Sequence, residues 1–210
     1  MITSSLARSF SQIGVLTTAS RILGLLRDIV FAAFLGAGPA ADAFLVALKL
    51  PNMFRRLSAE GALSSAFVPS FAREAKENGG AAALRLAGEV QAVLLFVLLI
   101  VMVVFEIMMP SVVMLLAPGF STTPERFAAA VALARITMPY LPMISLIAFW
   151  AAIANAHDRF VPGAAMPILF NVCMIGGALV IPLLSGELGV QKAKPLAFGL
   201  LWAGALQMGV

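Results

Sequence analysis

Charged residues are scarce in this sequence. Only 11% of its 210 residues are Asp, Glu, Lys or Arg, and 61% are hydrophobic, whereas soluble domains carry about 25% charged residues. A chain of this length could not bury so much apolar surface if it folded in water. The shortage of charge therefore excludes an ordinary soluble domain and predicts a protein whose main solvent is the lipid bilayer.

Cysteine and histidine occur once each, as Cys173 and His157. A single cysteine excludes an intrachain disulfide and a cysteine-based metal site, and a single histidine without an apparent partner does not indicate catalysis. The sequence also lacks a phosphate-binding GxxxxGK[ST] motif and a nucleophile elbow. We therefore expect a protein that is not an enzyme, that has no cofactor or metal, and that does not bind nucleic acid.

Long runs without any charged residue or histidine are abundant. They lie at 90–105, 107–124, 136–156 and 160–186. A helix that crosses a bilayer needs about 20 predominantly apolar residues, and the last two runs are long enough. The runs do not alternate with the period of two that is typical of membrane β-barrels. The pattern predicts an all-α polytopic membrane protein.

Turn signals and composition divide the chain into about six predicted transmembrane segments. Their predicted limits are 11–35, 40–71, 84–116, 124–156, 161–184 and 195–210. We expect Pro51 and Pro69 to kink the second segment and Pro139 and Pro142 to kink the fourth. A polar linker is expected over residues 73–80.

The ends of the predicted segments give two further expectations. The sixth segment has only 16 residues before the chain stops, which is short for a spanning helix, so we expect that a longer protein continues past it. Lys and Arg near the segment ends favour a cytoplasmic N-terminus, with five on the inner side and three on the outer side. The inner residues are Arg8, Arg73, Lys76, Arg85 and Arg159, and the outer ones are Arg126, Lys192 and Lys194.

The first two predicted segments carry charges that an ordinary membrane helix would not have. They are Arg21, Arg27, Asp28, Asp42, Lys49, Arg55, Arg56 and Glu60. Each Lys or Arg near a helix centre costs about 2.5–3.5 kcal/mol, whereas a Leu or Ile returns only about 0.3–0.6 kcal/mol. These side chains must therefore face a water-filled cavity, pair with one another or lie near an end. We expect Arg27 to pair with Asp28 and Arg56 with Glu60.

The surplus of charge is positive, and helical spacing predicts which of these residues share a face. The guanidinium group is well suited to bind phosphate or carboxylate. One polar stripe on the first segment comprises Thr17, Ser20, Arg21, Gly24, Arg27 and Asp28. On the second segment one face carries Asp42, Lys49, Arg56 and Glu60. Arg55 lies off this face in an ideal helix, but Pro51 interrupts the phase. An alternative is that Arg55, Arg56 and Glu60 lie at an interfacial break and extend to water.

The run from Ser20 to Asp28 resembles the start of the MurJ (MviN) lipid II flippases, which belong to the multidrug/oligosaccharidyl-lipid/polysaccharide exporter superfamily. Further similar motifs lie at 36–38, 42–44, 49–52, 54–56, 59–62, 66–69, 117–120, 139–140 and 155–160. The resemblance implies a fold of about fourteen helices in two lobes around a central cavity, with a cytoplasmic N-terminus. It implies that residues 1–210 form the N-terminal transmembrane lobe of about six helices, and that the C-terminal lobe is absent.

The resemblance also implies a function and a set of site residues. The substrate would be lipid II, an undecaprenyl-diphosphate-linked disaccharide-pentapeptide, moved from the inner to the outer leaflet of the bacterial inner membrane for peptidoglycan synthesis. Family positions that handle the diphosphate match Arg21, Arg27 and Arg55, and acidic family positions match Asp42 and Glu60. The resemblance thus favours Arg55 over Arg56 as the residue that faces the cavity. The full set of candidate substrate-binding residues is Arg21, Arg27, Arg55, Arg56, Asp42, Glu60, Asp28, Lys49 and Asn52.

The resemblance has consequences for the partners of the chain and for what the chain can do alone. The resemblance implies lipid II, membrane lipids and the peptidoglycan-synthesis machinery as partners. The family's second lobe contributes a further arginine, the coupling-ion site and the lipid-tail groove, so this chain alone is not expected to transport. Two other functions stay open: an exporter of another anionic lipid-linked glycan or of a drug, and a non-transporting membrane scaffold.

Overall fold

A computed structural model describes the backbone of residues 2–59, 62–157, 159–183 and 190–209, and side chains within 12–53, 66–157, 159–183 and 192–209. Throughout these ranges the chain is helical, with short turns and no strand. The expected all-α fold is confirmed. This fold suits a bilayer, because a helix satisfies its backbone hydrogen bonds internally.

The described residues form nine α-helices and three short 3₁₀ segments. The α-helices are α1 (Ile2–Phe34), α2 (Pro39–Ala59), α3 (Ala62–Asn78), α4 (Gly80–Ile107), α5 (Met109–Leu116), α6 (Pro124–Thr137), α7 (Tyr140–Ala156), α8 (Val161–Val180) and α9 (Lys194–Gln207). The 3₁₀ segments are Pro118–Thr122, Ile181–Leu183 and Val190–Ala193.

The expected polar linker over residues 73–80 is wrong, because α3 continues to Asn78. Charged residues such as Glu and Lys are good helix formers, and the Asn78 side chain donates a hydrogen bond to Glu74 one turn earlier, at 2.9 Å. The helix is interrupted only at Gly79, whose φ of 86° suits a residue without a Cβ.

Three described helical stretches are long and apolar enough to cross a bilayer, namely Gly80–Ile107, Pro124–Ala156 and Val161–Leu183. The second of these joins α6 and α7 across the turn at Met138 and Pro139. These stretches and the helical fold agree with a polytopic membrane protein, whereas the number of six spans stays a prediction. The outer face of α4, with Val93, Phe96 and Ile100, is exposed, as lipid contact requires.

The main core lies where α2, α6, α7 and α9 meet. Ala43 and Phe44 of α2 pack with Met138 and Leu141, and all four side chains are fully buried. The buried Thr137 hydroxyl joins α6 to α2 by a hydrogen bond to the Ala47 carbonyl, at 3.1 Å.

Glycines allow α8 and α9 to approach closely. A Cβ on Gly177 would lie 2.7 Å from the Pro195 carbonyl oxygen, and a Cβ on Gly199 would lie 3.0 Å from the Cys173 carbonyl oxygen. This contact fixes α8 in the bundle, and α1 packs on α8 in turn. Residues of α1, α2, α7, α8 and α9 are thereby brought around one cavity.

Candidate functional site

A cavity of about 440 Å³ lies among α1, α2, α7, α8 and α9. Its polar lining consists of Arg27, Asp28, Asn52, Tyr140, Asn171 and Gln207, and its apolar lining consists of Phe31, Leu45, Leu48, Ile144, Met166, Pro167, Phe170 and Met174. Cavities of a few hundred Å³ with an apolar wall and a few polar groups are typical small-ligand sites. This one could hold part of an amphiphilic molecule.

Arg27 is the cation of the described cavity lining. Its Nε and Nη2 donate hydrogen bonds to Oδ1 of Asp28, at 3.0 and 2.8 Å, and its Nη1 donates to Oδ1 of Asn171, at 2.9 Å. The expected pairing with Asp28 is therefore present. These bonds use three of the five N–H groups of a guanidinium. The other two have no partner among the described residues and are available to an anion.

Two aromatic rings stabilise the Arg27 guanidinium. Its Cζ lies 5.9 Å from the centre of the Phe31 ring and 5.8 Å from the centre of the Phe170 ring. Cation–π contacts of this length are attractive, and they strengthen as water is excluded. The rings thus hold the group from α1 and α8, one on each helix.

Asn171 connects Arg27 to the backbone of α1. Its side chain is buried, and its Nδ2 donates a hydrogen bond to the Ser20 carbonyl at 3.1 Å. With the amide nitrogen directed at Ser20, the amide oxygen is directed at Arg27. Gly24 lies beside this contact, although a Cβ there would be at an ordinary contact distance of 3.7 Å from the Asn171 Nδ2.

A second polar group lines the cavity on α7 and α9. Gln207 is 3% exposed, its Nε2 donates to the Met166 carbonyl at 2.7 Å, and its Oε1 accepts from the Tyr140 hydroxyl at 3.4 Å. These bonds satisfy a buried amide and join α7, α8 and α9. The cavity therefore has polar groups on α1 and α8, and others on α7 and α9, with apolar side chains completing the wall.

The structure brings three of the predicted site residues together. Arg27, Asp28 and Asn52 line the cavity. Arg21 does not line it, and its side chain is exposed on α1. The side chains of Arg55 and Arg56, and the whole of Glu60, lie outside the described residues. Within the described lining the charges of Arg27 and Asp28 cancel, so a positive surplus there would have to come from other arginines.

Asp42 and Lys49 interact elsewhere. Asp42 forms an ion pair of 3.6 Å with Arg126 of α6, and the Arg126 Cζ lies 5.4 Å from the centre of the Phe120 ring. Lys49 Nζ approaches the Leu116 carbonyl at the end of α5, at 3.4 Å, where the helix dipole favours a cation. In this conformation neither residue lines the cavity.

Sequence reasoning missed three polar residues of the cavity, namely Tyr140, Asn171 and Gln207. Asn171 and Gln207 carry the signal that could have found them, because each is an amide within an otherwise apolar predicted segment. Polar groups in such segments are expensive and tend to mark interior contacts. Among the described residues, no group of three or more His, Cys, Asp or Glu side chains could hold a metal ion.

Comparisons with known proteins agree with this architecture. A family model described as "Lipid II flippase MurJ" matches residues 31–210. The chain is 42% identical over 207 residues to the probable lipid II flippase MurJ of Rhizobium meliloti (strain 1021), which covers 98% of this chain and 38% of that protein. It is 36% identical over 199 residues to the lipid II flippase MurJ of Burkholderia cenocepacia, which covers 95% and 37%.

A solved structure is similar as well. The chain matches a structure named "Lipid II flippase MurJ, inward closed conformation" with a TM-score of 0.76 and 25% identity, over 94% of this chain and 41% of that one. The chain thus spans 38% of the length of its relative from Rhizobium meliloti. The matched length, the identities and the helical fold together show that this integral membrane protein belongs to the lipid II flippase MurJ family.

Proposed function

We propose that the chain takes part in moving lipid II, an undecaprenyl-diphosphate-linked peptidoglycan precursor, from the inner to the outer leaflet. The observation that carries this proposal is the position of Arg27, whose two remaining N–H groups border a largely apolar cavity. A lipid diphosphate needs a cationic donor beside apolar surface. The relatives' names supply the substrate of the proposal.

The positive charge that the diphosphate requires comes, in this proposal, from several arginines. Arg27 is balanced by Asp28, so we assign the surplus to Arg21, Arg55 and Arg56. Asn52 contributes a neutral amide to the cavity wall. We keep Asp42, Lys49 and Glu60 in the proposed site on the family resemblance, although Asp42 binds Arg126 and Lys49 approaches the Leu116 carbonyl in this conformation. Alternating access, in which lobes rock around a central site, would carry the headgroup across.

We further propose that residues 1–210 form one transmembrane lobe in the bacterial inner membrane, with about six spans and a cytoplasmic N-terminus. The matched region is 38% of the length of a relative. We therefore assign headgroup binding to this chain and translocation to a chain of the relatives' full length. Partners among the peptidoglycan-synthesis proteins belong to the same proposal.

The experiment that tests this function is a binding measurement in lipid nanodiscs. The chain should bind lipid II, and Arg27→Ala should weaken binding about 10- to 100-fold, since hydrogen bonds to charged groups contribute about 1.5–3 kcal/mol. Arg85→Ala is the matched control, because Arg85 is exposed on α4 and does not line the cavity. In a chain of the relatives' full length, Arg27→Ala or Arg55→Ala should abolish translocation without loss of folded protein.

Three other outcomes would contradict this function or favour a different one. Equal affinity of the wild type and the Arg27→Ala variant for lipid II would overturn it. Tighter binding of another anionic lipid-linked glycan or of a drug would make the family member an exporter of that compound. Normal translocation after neutralising Arg27 and Arg55 would favour a non-transporting scaffold role for this lobe.

A further inference from the structure

We infer that Asn171 is a fixed anchor for the Arg27 guanidinium, and that Asp28 is an exchangeable counter-ion that a bound anionic headgroup displaces. This inference rests on the proposed function, because it describes how the same cavity would accept a diphosphate. Both side chains bind Arg27, but Asn171 should support the binding of an anion whereas Asp28 should oppose it.

The anchor role follows from the burial and bonding of Asn171. The residue is 5% exposed, and both ends of its amide are used, with Nδ2 on the Ser20 carbonyl at 3.1 Å and Oδ1 on Arg27 at 2.9 Å. A buried amide that lost either bond would leave a polar group unsatisfied. Asn171 therefore keeps its orientation whether or not an anion is bound, and it acts as a positioning residue for Arg27.

The exchangeable role follows from the exposure and geometry of Asp28. Its side chain is 64% exposed, whereas that of Arg27 is 26% exposed. One carboxylate oxygen accepts both bonds from Arg27. The two residues are adjacent in α1, where consecutive side chains point away from each other. An exposed pair of this kind is weak, and water can solvate the carboxylate when it leaves.

The two partners of Arg27 differ in the charge and in the N–H groups that they leave available for a ligand. Asn171 is neutral, so Arg27 keeps its full positive charge while it is anchored. Asp28 cancels that charge and occupies Nε and Nη2. When Asp28 moves away, four N–H groups face an incoming anion and only the bond to Asn171 remains. The Phe31 and Phe170 rings hold the guanidinium from α1 and α8 during the exchange.

The test uses farnesyl diphosphate as the probe and farnesol as its uncharged counterpart, with the purified chain in detergent micelles. Asn171→Leu conserves volume but removes both bonds, and we expect about tenfold weaker diphosphate binding. Asp28→Asn removes the competing charge, and we expect about tenfold tighter binding. Binding of farnesol should not change in either variant. In both cases the dissociation constant is measured by titration calorimetry.

Matched controls separate these effects from general ones. Asn78→Leu and Glu77→Gln make comparable chemical changes on α3, at exposed positions away from the cavity, and should leave the affinity unchanged. Circular dichroism checks that each variant is folded. Asn171→Ser provides a second anchor variant, because a serine is too short to reach both Ser20 and Arg27. In protein with isotope-labelled arginine, nitrogen NMR should show slow rotation of the Arg27 Nη groups in the wild type. This slow rotation should be lost in Asn171→Leu and Asn171→Ser.

Each result decides between the roles. Weaker binding by Asp28→Asn would overturn the exchange, since Asp28 would then support the ligand. Unchanged binding and unchanged NMR signals in Asn171→Leu and Asn171→Ser would overturn the anchor. If the wild type does not distinguish farnesyl diphosphate from farnesol, while Arg27→Ala behaves identically, the proposed function itself fails and the inference falls with it.

Discussion

Pro51 removes a hydrogen-bond donor from the interior of α2. In a regular helix the Ala47 carbonyl would accept from the N–H group of residue 51, which a proline lacks. The Thr137 hydroxyl of α6 is fully buried and lies 3.1 Å both from this carbonyl and from the Ala134 carbonyl of its own helix. Its single hydrogen is shared between the two acceptors, so it replaces the missing donor in part and connects α6 to α2 where water and lipid cannot satisfy the group.

Replacing Thr137 by Val should therefore destabilise the fold although it conserves shape. We expect a loss of about 1–3 kcal/mol, because the substitution leaves a buried carbonyl unsatisfied. Reversible unfolding in mixed micelles, followed by circular dichroism, measures the loss. Thr137→Val in a Pro51→Ala background is the control, since the introduced alanine supplies the N–H and the loss should shrink. An equal loss in both backgrounds would mean that the hydroxyl does not compensate for Pro51.

For single residues, contacts between chain neighbours can be predicted from the sequence, whereas contacts between distant helices cannot. The pairing of Arg27 with Asp28 is predictable from their opposite charges and their proximity in the chain, although consecutive side chains of a helix point away from each other. The bond from Arg27 to Asn171 is not, since it joins residues 144 positions apart and depends on how α1 packs on α8. The partner of Asp42 escapes prediction for the same reason, because Arg126 belongs to another helix.

Among the helices, α8 packs closely against α9 through a glycine face, which is the side of α8 that carries Gly177. A Cβ on Gly177 would lie 2.7 Å from the Pro195 carbonyl oxygen, which is backbone and cannot rotate away. Gly176, its neighbour in the chain, has open space at the corresponding position. Small residues at such contacts let membrane helices pack closely.

Gly177→Ala should consequently separate the two helices, whereas Gly176→Ala should be tolerated. Overpacking of this kind costs about 1–3 kcal/mol, and we expect a lower unfolding temperature for Gly177→Ala only. The separation would also disturb Gln207, which α9 places at the cavity, so diphosphate binding should weaken in the same variant. Equal stability of the two variants would contradict the role of this glycine face in joining α8 to α9.

At the level of helices, composition predicts where the chain is helical better than where it breaks. The polar stretch of residues 73–78, expected to be a linker, is helical because charge alone does not stop a helix whose residues favour it. The expected third segment is divided at Met108 into α4 and α5. Pro110 lies in the first turn of α5 and lacks the N–H group that would continue α4, so the sequence does carry a local signal for this break.

For the whole molecule, hydropathy is sufficient to predict the class, since a mean hydropathy of +1.02 is incompatible with folding in water. The cavity can be predicted only in part. Charged residues in apolar segments indicate Arg27 and Asp28, but its amide groups on α8 and α9 emerge only when helices distant in sequence come together. Asp28 balances Arg27 within the described lining, as their expected pairing implies, and the expected positive surplus stays a prediction because the side chains of Arg55 and Arg56 lie outside the described residues.

The arrangement of helices predicts which turns share a side of the membrane. If α2 with α3, α4 with α5, and α6 with α7 each cross once, the turns at 35–38 and 117–123 lie on one side. Gly79 and the residues between α7 and α8 then lie on the other. With the proposed cytoplasmic N-terminus, the first pair is periplasmic.

Single cysteines in a Cys173→Ala background test this topology in intact spheroplasts. Ala37→Cys and Ser121→Cys should react with a membrane-impermeant maleimide, whereas Asn78→Cys and Arg159→Cys should react only after permeabilisation. All four positions are exposed on the protein, so a cysteine that fails to react is separated from the reagent by the membrane and is not buried in the protein. The opposite pattern would reverse the orientation, and labelling of Ala37→Cys and Asn78→Cys from the same side would show that α2 and α3 do not form one crossing.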